Sequence, residues 1–370
     1  MLISQRLPDA TVRGKLIFVE GLPGTGKSST AQRIWRQLQM KDVDARWYHE
    51  SVPSPLTTMG SLERLVYRTS RLVDRAIRRD LADGLHWWLS RRSWARFGAR
   101  KEFDGDVLIF DARVFMGVVR QQLSRDVNQA EIKARVLELL GYVRVHAPVL
   151  VFLVPADIER LVRSTIDTRG PAFEEKLVSV TARCRYGRSR GIAGLQAVLR
   201  YWEDYLAICR DLVEVWPGPR IVATTDVDRA SRQRAYDEVE SFLGISDRKR
   251  STDSRPWSGY VGTYESEEGA LHVRLQDGEL TMLGEMKEVG SRDDPRRGMK
   301  SDGYLRALTV YPRPRPLMAR GENEFDIEGL PFVARFASDP PHDLTLSVYL
   351  QSGRPNTYRR RSETESGRGS

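Results

Sequence analysis

The sequence predicts an α/β domain built on a parallel β-sheet with helices on both faces, followed by a smaller all-β domain. Three observations lead there. From Leu16 to Leu243, short apolar runs rich in strand formers alternate with stretches whose apolar residues recur at helical spacing. Strands separated by helices call for a parallel sheet covered on both sides. Beyond Gly244 the period changes to two, as in Leu271-x-Val273-x-Leu275 and Leu344-x-Leu346-x-Val348, which is the signature of half-buried strands. The implied division is a first domain over residues 1–245, a linker over 246–257, an all-β domain over 258–353 and a disordered tail over 354–370.

The elements follow in order. Leu16-Ile17-Phe18-Val19 reads as the first strand, and Ala31, Ile34, Trp35 and Leu38 mark the first helix. Ala45 to His49 reads as a second strand, ending at Glu50; Pro53 and Pro55 then break the chain. Ser61 to Phe103 is helical, with one apolar stripe (Leu62, Leu65, Val66, Leu72, Val73, Ala76, Ile77). A basic stripe of Arg64, Arg68, Arg71, Arg75 and Arg78 faces either solvent or an anionic substrate. Val107 to Phe110 is a continuous apolar run closed by Asp111, as a buried parallel strand would be. Helices are expected near Val114 to Leu123 and Gln129 to Val145. Val149 to Val154 is a fourth strand behind Pro148, and Ile158 to Ile166 is helical. Arg169 to Gly194, rich in Gly and Arg, reads as a loop or lid. Leu195 to Val215 is helical, Ile221-Val222-Ala223 makes a fifth strand, and Ala230 to Leu243 a last helix.

In the second domain, Leu280 to Leu283, Leu305 to Tyr311, Phe325 to Ile327 and Phe332 to Phe336 add short strands. Asp277-Gly278, Asp302-Gly303 and Glu328-Gly329 mark turns, so a small barrel or sandwich is expected. Asp247 to Pro256 is charged and lacks apolar residues, as linkers do. Arg354 to Ser370 is polar and rich in Arg, Ser and Gly, which predicts disorder.

Composition bounds the function. The chain has 370 residues, 40% of them hydrophobic, which is enough for two cores. Its two cysteines, Cys184 and Cys209, support neither a disulfide framework nor a metal site, which points to a reducing, cytoplasmic setting. Met1 to Gly14 has no apolar core of signal-peptide length, and no run approaches the roughly 18 apolar residues of a membrane span. The net charge of +9 favours anionic partners such as nucleotides or phosphorylated metabolites. Nucleic acid is not expected, because the arginines are spread along the chain and no nucleic-acid motif accompanies them.

The most informative stretch is Val19 to Thr30. Gly21-Leu22-Pro23-Gly24-Thr25-Gly26-Lys27-Ser28 fits G-x-x-x-x-G-K-[ST], and it stands between a predicted strand and a predicted helix. Glycines let backbone N–H groups converge on phosphate oxygens without a Cβ in the way. The helix that follows adds the positive end of its dipole. Gly21, Pro23, Gly24, Thr25, Gly26, Lys27, Ser28 and Ser29 are the expected nucleotide-binding residues. Lys27 would reach the β- and γ-phosphates, and the Ser28 hydroxyl would ligate Mg²⁺. Glu50 and Asp111 each end a strand, and in open parallel sheets ligands bind at the carboxyl ends of strands. Asp111 is a candidate Mg²⁺ ligand or a helix N-cap. Glu50 is a candidate general base or a surface acid. Arg113 is a phosphate clamp or a surface ion-pair partner. Trp47, Tyr48, Trp87, Trp88 and Trp94 are core aromatics or stacking groups. The five histidines form no metal pattern, and His49 and Glu50 point to opposite faces of their strand.

Phe18-Val19-Glu20-Gly21…Gly26-Lys27-Ser28-Ser29 resembles the start of thymidylate kinases and deoxynucleoside kinases. Three further stretches extend the resemblance over Leu16 to Leu243. Glu50-Ser51-Val52 is similar to a Glu-Pro-Val segment whose Glu is the general base for the sugar hydroxyl. Asp111-Ala112-Arg113 is similar to a Glu/Asp-Arg-Ser segment, with one inserted residue before the Arg. Pro148 to Leu153, followed by Arg160, Arg163 and Arg169-Gly170, resembles their fourth strand and Arg-rich lid. The resemblance implies a P-loop NTPase of the kinase type, sheet order 2-3-1-4-5, with Arg163 and Arg169 among the catalytic lid arginines. Arg183, Arg185, Arg188 and Arg190 join them as lid candidates, since a guanidinium suits phosphate. The expected activity is ATP- and Mg²⁺-dependent phosphoryl transfer to a small-molecule acceptor, a nucleoside or nucleotide first. A kinase of another hydroxylated metabolite or an antibiotic, or a nucleotide-sensing binding protein, are the alternatives. Gly259 to Glu265, with Leu271-x-Val273 and Glu279-Leu280, resembles small β-rich domains appended to serine hydrolases of the penicillin-binding type, which implies fold alone. Such a domain could serve as a structural appendage, cover the cleft, bind a partner or form a homodimer.

Overall fold

The structure, a computed structural model, describes residues 16–50, 54–56, 79–100, 107–246, 257–267, 269–286, 314–320, 323–339, 343–350 and 356–360. The stripes of residues 62–78, Ser51 to Pro53, the linker over 247–256 and the strand expected at 305–311 lie outside the described residues. The chain divides into two compact units, residues 1–162 with 176–246, and residues 163–175 with 247–370.

The first unit is an open five-stranded parallel sheet. Its strands are β1 (Leu16–Gly21), β2 (Ala45–Tyr48), β3 (Val107–Asp111), β4 (Val149–Pro155) and β5 (Arg220–Thr225), in the order β2-β3-β1-β4-β5. This is the P-loop kinase-like order that the resemblance implies. From the central β1 the sheet extends through β3 and β2 on one side and β4 and β5 on the other, so the ends of β1, β3 and β4 meet at a crevice. β1, β3 and β4 are buried along their whole length, as continuous apolar runs require.

Strand alternation sorts the side chains. Ile17, Val19, Trp47, Val107 and Ile109 pack against Ala31, Ile34, Trp35 and Leu38 of α1 (Lys27–Met40) and Ala235, Val239 and Phe242 of α9 (Arg229–Leu243). Phe18 and Phe110 point the other way and stack on each other at 5.3 Å. Trp94 and Phe97 of α2 (Arg79–Gly98) cover them. The next elements are a single π-turn over Phe115–Val119, α3 (Arg120–Ser124) and α4 (Gln129–Val143). α4 starts at Asn128, whose side chain caps the Glu131 N–H at 2.9 Å.

α5 (Ile158–Arg169), α6 (Pro171–Arg183), α7 (Arg185–Arg190) and α8 (Gly194–Glu214) follow β4. The stretch from Arg169 to Gly194, expected as a loop, is therefore helical. Gly170, at φ +81°, ends one helix and Pro171 opens the next, with Glu174 in the first turn and Arg183 in the last. Its glycines punctuate short helices, and its many arginines are good helix formers.

The second unit carries an eight-stranded antiparallel barrel: β6 (Gly262–Glu265), β7 (Gly269–Gln276), β8 (Glu279–Met286), β9 (Arg315–Ala319), β10 (Glu324–Ile327), β11 (Phe332–Asp339), β12 (Asp343–Leu350) and β13 (Asn356–Arg360). Each strand pairs with the next in sequence, and β13 pairs with β6 to close the ring. The choice left open between barrel and sandwich is thus a barrel. Tyr264, Leu271, Val273, Met282, Phe325, Ile327, Phe336, Leu346 and Tyr358 fill its interior. The β7–β8 hairpin turns through Asp277 at φ +51° and Gly278 at φ +78°, as the Asp-Gly pair predicts. The expected tail from residue 354 is corrected at one point: Asn356–Arg360 is the closing strand, and its Tyr358 is wholly buried. Thr and Tyr are good strand residues, and one inward aromatic suffices for a five-residue strand that completes a ring.

Candidate functional site

The phosphate loop connects β1 to α1. Its Leu22 carbonyl gathers three donors: the Thr25 N–H at 3.3 Å, the Thr25 hydroxyl at 2.8 Å and the Lys27 ammonium at 2.9 Å. Lys27 is buried, so its charge sits inside the curve of the loop. Gly21 is fixed by space as well as by its φ of +151°. A Cβ there would lie 2.5 Å from the Leu153 carbonyl oxygen on β4 and 2.8 Å from Thr25 Oγ1. Gly26, at φ +88°, is the N-cap of α1, and the first turn of that helix contains no acid. The positive end of α1 and the Lys27 ammonium therefore face the loop with no carboxylate of the helix's own first turn to offset them.

Asp111 sits at the end of β3, where Val19 of β1 is its partner in register. Alternation places it on the α1 face with Val107 and Ile109. It is fully buried, and neither carboxylate oxygen has a hydrogen bond of normal geometry. Burial pushes its carboxyl up to about 7, against the opposing pull of Lys27, Ser28 and Arg113; Glu50 adds to the rise. The N-cap reading of Asp111 therefore falls, since its oxygens cap no helix. Lys27, Ser28 and Arg113 offset only part of the cost of burying this carboxylate, and a cation bound beside it would offset more. Among the described residues, no group of three or more His, Cys, Asp or Glu side chains is arranged to hold a metal alone. One carboxylate with a hydroxyl beside it is a donor set that fits Mg²⁺, which is commonly held by one or two carboxylates while waters and substrate phosphates complete its shell.

Arg113 follows Ala112, which adopts φ +59°. The residue inserted before the Arg is thus absorbed by a left-handed turn, a conformation that an L-residue adopts at a cost of about 1–2 kcal/mol. The Arg113 guanidinium donates from Nη2 to the His49 carbonyl at 2.7 Å, which ties the end of β3 to the end of β2. Glu50, the next residue, is exposed, and its charge acts on both Asp111 and Arg113. Lys27, Ser28, Glu50, Asp111 and Arg113 are therefore brought together at the carboxyl edge of the sheet.

Two residues at this edge were given no role by the sequence. Glu20, beside Gly21, is wholly buried; its Oε1 accepts the Val114 N–H at 2.5 Å and its Oε2 the Met116 N–H at 3.2 Å. Burial lifts its carboxyl to about 7, opposed by those two N–H groups and by Lys27. His49 lies on the same face as Trp47 and brings Nε2 to 3.9 Å from Asp111 Oδ2. Period-two alternation from Trp47 would have placed His49 there, and an acid ending a wholly apolar strand was the available signal for Glu20.

The remaining candidates are placed as follows. Arg163 is exposed on α5, and the guanidinium of Arg169 lies 4.5 Å from the Phe173 ring centroid. Both belong to the 163–175 segment, which groups with the second unit. Arg190 pairs with Asp126 at 2.5 Å and stacks on Tyr186 at 3.9 Å. Trp47 and Trp94 are core residues, while Trp88 is exposed under Arg92.

No protein-family model matches this chain, and no curated protein matches it. Among solved structures, one match is the crystal structure of EHV4-TK, a herpesvirus thymidine kinase, complexed with TP5A. It is 15% identical, covers 62% of this chain and 90% of its own, and superposes with a TM-score of 0.28. That score is too low to carry substrate or mechanism across. Among the described residues, no helix is long and apolar enough to cross a membrane.

Proposed function

We propose that the first unit is an ATP- and Mg²⁺-dependent phosphotransferase acting on a hydroxyl or phosphate of a small molecule, with a nucleoside or nucleotide as the leading class of acceptor. One observation carries the reading. The fully buried Asp111 carboxylate lies beside the Lys27 and Ser28 of a glycine-rich phosphate loop. The nucleoside-like acceptor rests on the resemblance of Glu50-Ser51-Val52 and Asp111-Ala112-Arg113 to deoxynucleoside kinases.

In this reading the loop N–H groups and Lys27 bind and orient the triphosphate. Ser28 and Asp111 hold Mg²⁺, which when bound neutralises phosphate charge. Arg113, fixed by the His49 carbonyl, presents a cation at the acceptor side. Glu50 accepts the proton of the attacking hydroxyl. Arg163 and Arg169 complete the proposed catalytic set from the Arg-rich segment, as the resemblance implies.

A thermal-shift screen tests this. Ligands that bind only the folded chain raise its melting temperature by mass action, so no reaction need be assumed. The expected result is a shift with Mg²⁺ and a non-hydrolysable ATP analogue that grows when one acceptor pool is added. A nucleoside or nucleotide pool should be the one that adds to it. A response to hydroxylated metabolites or antibiotics alone would replace the acceptor class. A shift with nucleotide and no response to any acceptor would favour a nucleotide sensor instead.

A further inference from the structure

Glu20 has no part in the steps above, yet it is a fully buried carboxylate one residue ahead of the phosphate loop. Alternation along β1 turns it away from α1, to the face that carries Phe18. There both of its oxygens are used, by the N–H groups of Val114 and Met116. Those amides belong to the segment that needs holding most. Ala112 is left-handed, and the chain enters a π-turn at Phe115 rather than an ordinary helix. Single π-turns and left-handed non-glycine residues persist when their surroundings fix them, and they concentrate at functional sites. The Ala112 N–H also binds the Val19 carbonyl at 3.0 Å, so β1 grips this turn at two successive residues. Arg113 stands between the grips and reaches on to the His49 carbonyl, one residue before Glu50.

We propose that Glu20 is a positioning residue: it locks the Ala112–Met116 turn to the strand bearing the phosphate loop, and through Arg113 it sets the end of β2, with Glu50, at a fixed distance from that loop. The bonds form one chain, from Glu20 to the Val114 and Met116 amides, to Arg113 and to the His49 carbonyl. A neutral hydrogen-bonding residue could fill the same volume. A carboxylate alone offers acceptors to both amides at once, whereas an amide side chain presents an N–H to one of them. The catalytic consequence rests on the function proposed above; the structural role does not.

The test pairs hydrogen exchange with a double-mutant cycle. In Glu20→Gln, exchange should rise in peptides covering residues 111–119 and stay unchanged in α1, with a larger rise in Glu20→Ala. If the alanine variant does not fold, the glutamine variant carries the test. In transfer assays, Glu20→Gln should lower kcat by roughly tenfold or more while KM for ATP changes by less than about threefold, since misplacement of a reacting group by 1 Å can cost 10²-fold. Adding Glu20→Gln to Arg113→Ala should change kcat by less than about twofold, because the two act through one path. Unchanged exchange at 111–119, an equal rise across the whole unit, or losses that multiply in the double variant would each overturn the proposal. A wild-type protein that transfers phosphate to no acceptor would sink the proposed function, and the exchange pattern would still decide the role of Glu20.

Discussion

Replacing Asp111 by Asn should make the nucleotide-free protein more stable and a poorer user of Mg²⁺-nucleotide. Asp111 titrates near 7 in the fold against an ordinary 3.8. At about 1.4 kcal/mol per tenfold change in the proton equilibrium, ionising it in place costs about 4 kcal/mol. The sign follows from proton binding. The folded state holds this proton more tightly than the unfolded state, so stability falls as pH rises from the unfolded value through the folded one. Asn cannot ionise and escapes that cost. It buries an amide that its neighbours satisfy only in part, at about 1–3 kcal/mol, so the net gain at pH 8 is about 1–3 kcal/mol. At roughly 2–4 °C per kcal/mol for a unit of this size, Tm should rise by several degrees. The gain should shrink at pH 5, where Asp111 is already protonated in the fold. Differential scanning fluorimetry at pH 5 and pH 8, without and with Mg²⁺-ADP, measures all of this. With Mg²⁺-ADP the ranking should reverse, because the wild-type carboxylate then has its cation. An Asn variant less stable than wild type at pH 8 without nucleotide would refute the view of Asp111 as an unbalanced buried charge.

Other outcomes follow from the same geometry. Glu50→Gln should keep ATP affinity while turnover falls roughly 10²–10⁴-fold, measured by calorimetry and steady-state kinetics; unchanged turnover removes Glu50 from the mechanism. Gly21→Ala should abolish nucleotide binding in calorimetry, because its Cβ would meet the Leu153 carbonyl at 2.5 Å. Normal affinity would contradict the close approach of loop and β4. Gly98→Ala serves as a control away from the loop: its Cβ would lie 1.9 Å from the Tyr142 carbonyl. It should cost about 1–3 kcal/mol in urea unfolding, with nucleotide affinity in the surviving folded protein unchanged.

The sheet was legible because each parallel strand is a run of apolar residues, and each helix between them carries a spaced apolar stripe. Its order came from the resemblance of the motifs, since period alone does not rank parallel strands. Lys27, Ser28, Asp111 and Glu50 were legible because they sit at strand ends or in a motif with a mechanism. Glu20 was hidden by adjacency: an acid beside Gly21 reads as part of the loop until the π-turn is seen to rest on it. His49 was weighed only against Glu50, its neighbour in sequence, and set aside because the two point to opposite faces; Asp111, its neighbour across the sheet, is far from it in sequence. The Arg-rich stretch misled because Gly170 and Gly191 mark helix ends there, not a continuous loop. β13 was lost in a polar stretch, since Tyr358 alone signals its inward face.

Transfer of labelled phosphate is the measurement that bears most directly on the central claim. The purified chain would be incubated with ATP labelled at the γ-position, Mg²⁺ and separate pools of nucleosides, nucleotides and other hydroxylated small molecules, with Lys27→Ala and Asp111→Asn in parallel. The account predicts a labelled product in a nucleoside or nucleotide pool, formed only with Mg²⁺ and lost in both variants. ATP bound by the wild type with no labelled product in any pool would contradict it.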